Sequence, residues 1–206
     1  MGSFISRRRM AKNAAAAGVA AMSIVGMSAV NAPTASADTF LGGRVSAEYY
    51  HIKPLHSAKA LTVASLNEGA EIRQNTPGGT NLTSYLAKLQ MFRTIDFGNG
   101  VESYMLLKNI RATNGAMVPG CISRTGPYNN EKLVIKKCNA TPSQQFTYNM
   151  VGPGEHYEIR GVASNFYWHI QNASMADGAN LVQYTGPGGW NARFRWVYAG
   201  ELATFN

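Results

Sequence analysis

One segment of this chain, 65–76, returns in altered form at 174–185, and that recurrence limits the possible folds more than any other feature. Ser65-Leu66-Asn67-Glu68-Gly69-Ala70-Glu71-Ile72-Arg73-Gln74-Asn75-Thr76 aligns with Ser174-Met175-Ala176-Asp177-Gly178-Ala179-Asn180-Leu181-Val182-Gln183-Tyr184-Thr185. Ser, Gly, Ala, Gln and Thr coincide, and the acidic and aliphatic positions match in kind. Two further marks recur three times. An extended piece opens each unit: Tyr50-His51-Ile52-Lys53, Met105-Leu106-Leu107-Lys108 and Tyr157-Glu158-Ile159-Arg160. An aromatic closes it: Gln90-Met91-Phe92, Gln144-Gln145-Phe146 and Ala192-Arg193-Phe194. From the central aliphatic (Ile52, Leu107, Ile159) to the closing Phe is 40, 39 and 35 residues. Three units, about 49–100, 101–153 and 154–200, account for most of the chain.

Within each unit the residues read as short strands. Lys132-Leu133-Val134-Ile135-Lys136 and Phe146-Thr147-Tyr148 carry β-branched or aromatic residues. Turn clusters such as Thr76-Pro77-Gly78-Gly79, Val151-Gly152-Pro153-Gly154 and Gly186-Pro187-Gly188-Gly189 separate them. A sustained 3.6-residue apolar period is missing, except for one or two turns around Leu82 to Leu89. One such unit cannot bury its apolar face alone, whereas three around a pseudo-threefold axis close a barrel and remove the open sheet edge. The expected fold is an all-β β-trefoil of about twelve strands. Phe92, Phe146 and Phe194 are expected at equivalent core positions with Ile52, Leu107 and Ile159, and Trp196 also in the core.

Residues 1–37 read as a cleaved signal peptide, with 38–48 as a tail ahead of a 49–206 domain. A basic start (Arg7, Arg8, Arg9, Lys12) leads into an apolar stretch from Ala14 to Val30, and Ala35-Ser36-Ala37 fits the small-residue cleavage rule. The apolar stretch is too short for a spanning helix, which needs roughly 20 residues. Ser6-Arg7-Arg8-Arg9 also resembles the twin-arginine export signal, and the whole leader points to a secreted, extracellular bacterial protein. Of the net charge of +8, four charges belong to the leader. The mild remainder has no Lys/Arg cluster, which argues against nucleic acid. An even pair of cysteines in an exported chain, Cys121 and Cys138, favours a disulfide. The rival reading is a pair of metal ligands, but His51, His56, His156 and His169 offer no paired spacing with them, and neither metal nor cofactor is expected.

The third unit, from Trp168-His169-Ile170-Gln171-Asn172-Ala173-Ser174 through Asp177-Gly178 and Gln183-Tyr184 to Trp190-Asn191-Ala192-Arg193-Phe194, resembles the ricin B-type β-trefoil lectins. The resemblance is strong in the third unit, fair in the second and weak in the first after Gly79, and Cys121 and Cys138 match the family's disulfide within a repeat. It implies a shallow sugar cup on a repeat. There an Asp accepts bonds from sugar hydroxyls, an aromatic stacks on the ring, and an Asn or Gln completes the contacts. Carried over residue by residue, the third repeat has His169 at the Asp position, Tyr184 at the stacking position, Asn191 at the Asn position and Ala192 at the Gln position. The second has Ser123 and Lys136 and keeps Gln144; the first has Thr62 and Asn75. No repeat keeps the Asp, so the third, with Trp190 beside it as extra platform or rim cap, is the expected carbohydrate site.

Catalysis is not expected. Glycosidase chemistry needs a positioned carboxylate pair, and the acids here (Glu68, Glu131, Asp177) stand singly in turns. No Gly-x-Ser-x-Gly motif supports a hydrolase. The expected function is a secreted lectin-like module with degenerate sugar sites, binding a glycan or glycoprotein without membrane insertion. The alternative is a protein-binding trefoil, either a protease inhibitor or a toxin's cell-targeting subunit like those of cytolethal distending toxins. An exposed aromatic patch spread across two repeats would favour that alternative.

Overall fold

The computed structural model describes residues 39–78, 84–152 and 154–201; the leader read into 1–37 lies outside them, as do Gly79, Leu82 and Pro153. Ahead of the first repeat, β1 (Thr39–Phe40) and β2 (Gly43–Val45) form a hairpin, and β2 pairs with the strand Phe92–Asp96 that closes that repeat, so much of the segment read as a tail is paired backbone. The first repeat then supplies β3 (Glu48–Pro54), β4 (Ala60–Val63), β5 (Ile72–Asn75) and β6 (Phe92–Asp96), with one helical turn, α1 (Tyr85–Lys88), before β6. The second runs β7 (Val101–Leu106), a small extra hairpin β8 (Ile110–Arg111) and β9 (Met117–Val118), then β10 (Gly120–Arg124), β11 (Leu133–Lys137) and β12 (Phe146–Met150). The third is the plainest: β13 (Tyr157–Gly161), β14 (Tyr167–Ile170), β15 (Leu181–Tyr184) and β16 (Phe194–Glu201). Twelve of these sixteen strands follow the expected plan, and the four short ones are additions to it.

Six strands close a barrel. β3 pairs with β6, β6 with β7, β7 with β12, β12 with β13, β13 with β16, and β16 returns to β3. The other six form three hairpins, β4–β5, β10–β11 and β14–β15. A cycle of main-chain bonds ties the hairpins together: Gln74 N donates to Ala179 O, Gln183 N to Glu131 O, and Ile135 N to Ala70 O, each at 2.8 Å. This cycle sets the threefold register, with Gln74, Ile135 and Gln183 in one equivalent place.

Phe92, Phe146 and Phe194 are all buried in one core with Ile52, Ile159 and Trp168. The second-repeat partner differs from the sequence expectation. Phe92 pairs with Tyr50, Phe146 with Glu102 and Phe194 with Tyr157. Two residues further along the opening strands lie Ile52, Tyr104 and Ile159, each fully buried. Tyr104, not Leu107, therefore holds the equivalent place, its ring 6.0 Å from Phe146 and 5.2 Å from Trp168. Leu107 falls beyond the end of β7, half-buried against Tyr49, Ala87 and Met91. The aliphatic run Met105-Leu106-Leu107 points to the wrong residue because an aromatic fills a slot that an aliphatic fills elsewhere. Trp196 is likewise only half-buried, edge-on to Tyr148 and Tyr157.

Cys121 and Cys138 are bonded, with Cα atoms 4.9 Å apart, clasping the second hairpin against Val45, Ile95 and Met105. Among the described residues no helix is long and apolar enough to cross a membrane.

Candidate functional site

Strand alternation builds the site. Trp168 points into the core, so the next residue on β14, His169, faces the opposite side of the third hairpin. His169 pairs across the hairpin with Val182, and Tyr184 at the end of β15 brings its ring to 5.4 Å from the imidazole, tilted by 52°. The loop after β15 then folds over His169. Gly186 takes a left-handed φ of 81° that favours glycine, and a Cβ at Gly188 would lie 2.3 Å from His169 Cε1 and 2.4 Å from Ala192 Cβ. Only a residue without a side chain lets the loop approach this closely.

A cup of about 320 Å³ results, lined by His169, Tyr184 and Asn191 with Gln171, Asn172 and, from the second repeat, Asn130. The structure thus brings together three of the four residues singled out from the sequence. Trp190, the fourth, is 65 % exposed on the short turn Trp190–Ala192 and stands beside the cup without lining it. Tyr184 is 43 % exposed, with its ring available for stacking. Asn191 donates from Nδ2 to Ile170 O at 3.2 Å and lies 3.5 Å from His169 Nδ1. His169 Nε2 donates to Gly186 O at 3.3 Å, which makes Nδ1 the acceptor in the neutral ring. Both imidazole nitrogens are thus turned to protein partners, so His169 sets the positions of the Gly186 loop and Asn191. It does not present a free acceptor as the family's Asp does. Burial pushes its pKa below the ordinary range, opposed by the bond to the Gly186 carbonyl. No carboxylate is among the residues lining the cup.

The same register positions in the other repeats are occupied differently. Thr62 pairs with Arg73 and Ser123 with Val134, as His169 does with Val182. Thr62 is buried, and its Oγ1 both donates to Ala60 O at 3.0 Å and accepts from Gln90 Nε2 at 2.9 Å. Asn75 spends its Oδ1 on the Gly178 N–H at 2.9 Å. Ser123 is buried and bonds the Arg124 carbonyl, and Lys136 stands half-buried where Tyr184 stands in the third repeat. Gln90 and Gln144 are buried and staple loops: Gln144 accepts from Asn139 N and donates to Lys137 O, both at 2.9 Å.

Sequence reasoning missed Asn130, Gln171 and Asn172. Asn172, in the left-handed region at φ 56°, belongs to the Asn-Ala-Ser turn already visible in the third unit. Asn130 left no signal, because it reaches the cup from another repeat. Gln183 Nε2 holds the carbonyls of Gly126 and Tyr128 at 2.7 and 2.8 Å, which presses that turn of the second repeat against the third hairpin. Among the described residues no group of three or more His, Cys, Asp or Glu side chains is placed to hold a metal ion.

Residues 88–184 match the family of ricin-type β-trefoil lectin domain-like proteins, a span that covers the second repeat and the third as far as Tyr184. No curated protein sequence matches the chain. Among solved structures, the designed threefold symmetric protein ThreeFoil is 26% identical, covers 72% of this chain and 97% of its own, and superposes with a TM-score of 0.60. The ricin B-like lectin of Macrolepiota procera, solved with lactose, shares 10% identity over 73% of this chain and 95% of its own at a TM-score of 0.53. Cytolethal distending toxin from Actinobacillus actinomycetemcomitans shares 14% identity over 75% of this chain and 92% of its own at 0.54. These last two similarities concern the fold alone. The family match over residues 88–184, and the trefoil closed around it, make this chain similar in sequence to the ricin-type β-trefoil lectin domain-like family and a β-trefoil in fold.

Proposed function

We propose that this protein is a secreted, non-catalytic carbohydrate-binding module that holds one sugar in the cup of the third repeat. The observation that carries this reading is the contrast between hairpins: the third joins an exposed ring, Tyr184, to a cup lined with polar side chains, where the first and second have Asn75 and Lys136 at the same register position. The apolar face of a pyranose stacks on Tyr184. The Oδ1 of Asn191, which accepts no hydrogen bond among the described residues, takes a sugar hydroxyl, and Asn172, Gln171 and Asn130 supply further amides. His169 acts as a positioning residue. A single shallow cup of this kind holds a monovalent sugar in the millimolar class, on the order of −4 kcal/mol, with avidity on clustered glycans. Export is supported by the basic, apolar and small-residue order of residues 1–37 and by the Cys121–Cys138 disulfide, which suits an oxidising compartment. The arginines of the leader favour a bacterial twin-arginine route.

A glycan array probed with the mature protein, its Tyr184→Ala variant and its Lys136→Ala variant tests this reading. Binding lost with the first change and kept with the second is the expected outcome. Binding that survives Tyr184→Ala and disappears with Lys136→Ala would move the site to the second repeat. The protein-binding reading draws instead on the absence of sugar-cup chemistry in the first two repeats, where Thr62 and Ser123 are bonded internally. It takes the lead if no glycan binds.

A further inference from the structure

The two places where the chain departs most from threefold symmetry lie side by side. Between the third and fourth strands of a repeat the chain runs 76–91 in the first, 138–145 in the second and 185–193 in the third, and only the first contains an α-helical turn, α1. Between the first and second strands it runs 55–59, 107–119 and 162–166, and only the second contains an extra hairpin, β8–β9. These additions belong to different repeats, yet together they wall one groove of about 600 Å³. Leu66, Tyr85 and Lys88 line it from the first repeat, and Leu107, Lys108 and Met117 from the second. Tyr85 is 61 % exposed and Met117 55 %, above a half-buried floor of Leu66 and Leu107.

The helical wall is anchored. A Cβ at Gly78 would lie 3.0 Å from Ala87 N, so the chain packs directly on α1. Gly78 N donates to Gln90 Oε1 at 2.7 Å, and Gln90 Nε2 in turn holds Thr62 and Thr76. The rim is cationic. Neither Lys88 nor Lys108 has a carboxylate partner among the described residues, and the nearby Glu68 is committed to the amides of Thr113 and Lys137 at 3.2 and 3.0 Å.

We propose that this groove receives an exposed segment of a partner protein in which one large apolar side chain is flanked by carboxylates. An exposed apolar patch with a polar rim is the usual mark of an interaction surface. A floor of Leu66 and Leu107 with Met117 above it takes an aliphatic or aromatic anchor. The rim lysines neutralise acids beside the anchor and speed their encounter. A sugar is a poorer occupant, because Leu66, Leu107 and Met117 offer its hydroxyls no hydrogen-bond partner and Asn109 is the single amide side chain in the lining. The surface is separate from the cup of the third repeat, so the two readings stand or fall independently.

The test titrates the ¹⁵N-labelled mature protein with a short synthetic Glu-Phe-Glu peptide, its Lys-Phe-Lys counterpart and an oligomer of galacturonic acid. Saturable amide shifts at Tyr85, Lys88, Leu107, Lys108 and Met117 are expected with the acidic peptide. Binding should weaken by at least about tenfold for the basic peptide, for Lys88→Glu combined with Lys108→Glu, and for Tyr85→Ser. It should also weaken between about 50 and 300 mM salt, and remain unchanged in Tyr184→Ala. Both variants change exposed or half-exposed side chains and are read alongside their melting curves; if the double variant does not fold, Tyr85→Ser decides. The proposal is overturned if about 5 mM acidic peptide moves none of these amides, if the folded variants bind it undiminished, or if the uronate saturates the groove and the peptide does not.

Discussion

The second and third hairpins share one register and put it to different uses. Ser123 opposes Val134 as His169 opposes Val182, and Lys136 follows Ile135 as Tyr184 follows Gln183. In the second repeat the small Ser123 is buried, a disulfide clasps the strands, and Gln144 pins the closing loop through Asn139 N and Lys137 O. In the third, Ala192 replaces that glutamine, Gly188 lets the loop cross the imidazole, and Asn191 turns toward the cup. The backbone cycle through Gln74, Ile135 and Gln183 is identical in all three repeats because main-chain atoms make it. Outward side chains can therefore diverge without disturbing the fold, and one repeat can carry an exposed ring where the others carry Asn75 and Lys136.

The strongest test of the shared scaffold is to remove its aromatics. Phe146→Ala and Phe194→Ala should each cost roughly 3–5 kcal/mol in urea unfolding, because both rings are fully buried at equivalent places. A loss below about 1 kcal/mol at one of them would break the equivalence. The clasp belongs to the second repeat alone. Cys121→Ala with Cys138→Ala should cost about 3 kcal/mol on the chain-entropy estimate and leave glycan binding at the third repeat intact. Free thiols in the folded exported protein would contradict the bond outright.

Next comes the loop staple. Gln144→Ala removes the side-chain partner of Asn139 N and Lys137 O, at a cost of about 0.5–1.5 kcal/mol per bond. The third repeat already has Ala192, so Ala192→Gln should gain no comparable stability and should narrow the cup. Equal gains from that substitution would show that the two loops are wired alike.

The smallest effect is on pH. Burial holds the pKa values of both His51 and His169 below the ordinary value of about 6.5; Lys53 lowers His51 further, and backbone carbonyls oppose the shift in both. The unfolded imidazoles take up protons first as pH falls, so stability present above about pH 6.5 is lost progressively below it and levels off beneath the folded pKa values. Melting temperature should therefore drop between about pH 7 and 5, with a shallower slope in His169→Gln. The same shift keeps His169 neutral at pH 7 and moves any pH-dependent change in sugar binding below the ordinary imidazole range. Glu71, held low by its bonds to Lys132 and Arg73, and Asp177, held low by Lys59, act in a separate, more acidic window. A slope that steepens when His169 is replaced would refute the assignment.

Repetition is what made the fold legible. The match between 65–76 and 174–185 and the three closing phenylalanines reflect demands that every unit must meet: a turn, a strand and a core ring at fixed intervals. The carried-over pairs Thr62 with Asn75, Ser123 with Lys136 and His169 with Tyr184 fall at equivalent register positions for the same reason. The sequence misled where one slot admits different side chains, as when Tyr104 fills the place of an aliphatic and Leu107 lies outside it. It was silent where the contact crosses repeats.

By itself, then, the sequence determined the number of units and the pairing of the cysteines as the favoured state, and it pointed to the repeat proposed here to hold a sugar. Each of these follows from local pattern or from residue type. Tertiary structure alone decided that Asn130 of one repeat completes the cup of another, that Gly188 is needed because a Cβ there would lie 2.3 Å from an imidazole carbon, and that α1 and β8–β9 face each other across a groove. Those are distances between segments far apart in the chain, and they exist only once the threefold barrel has closed.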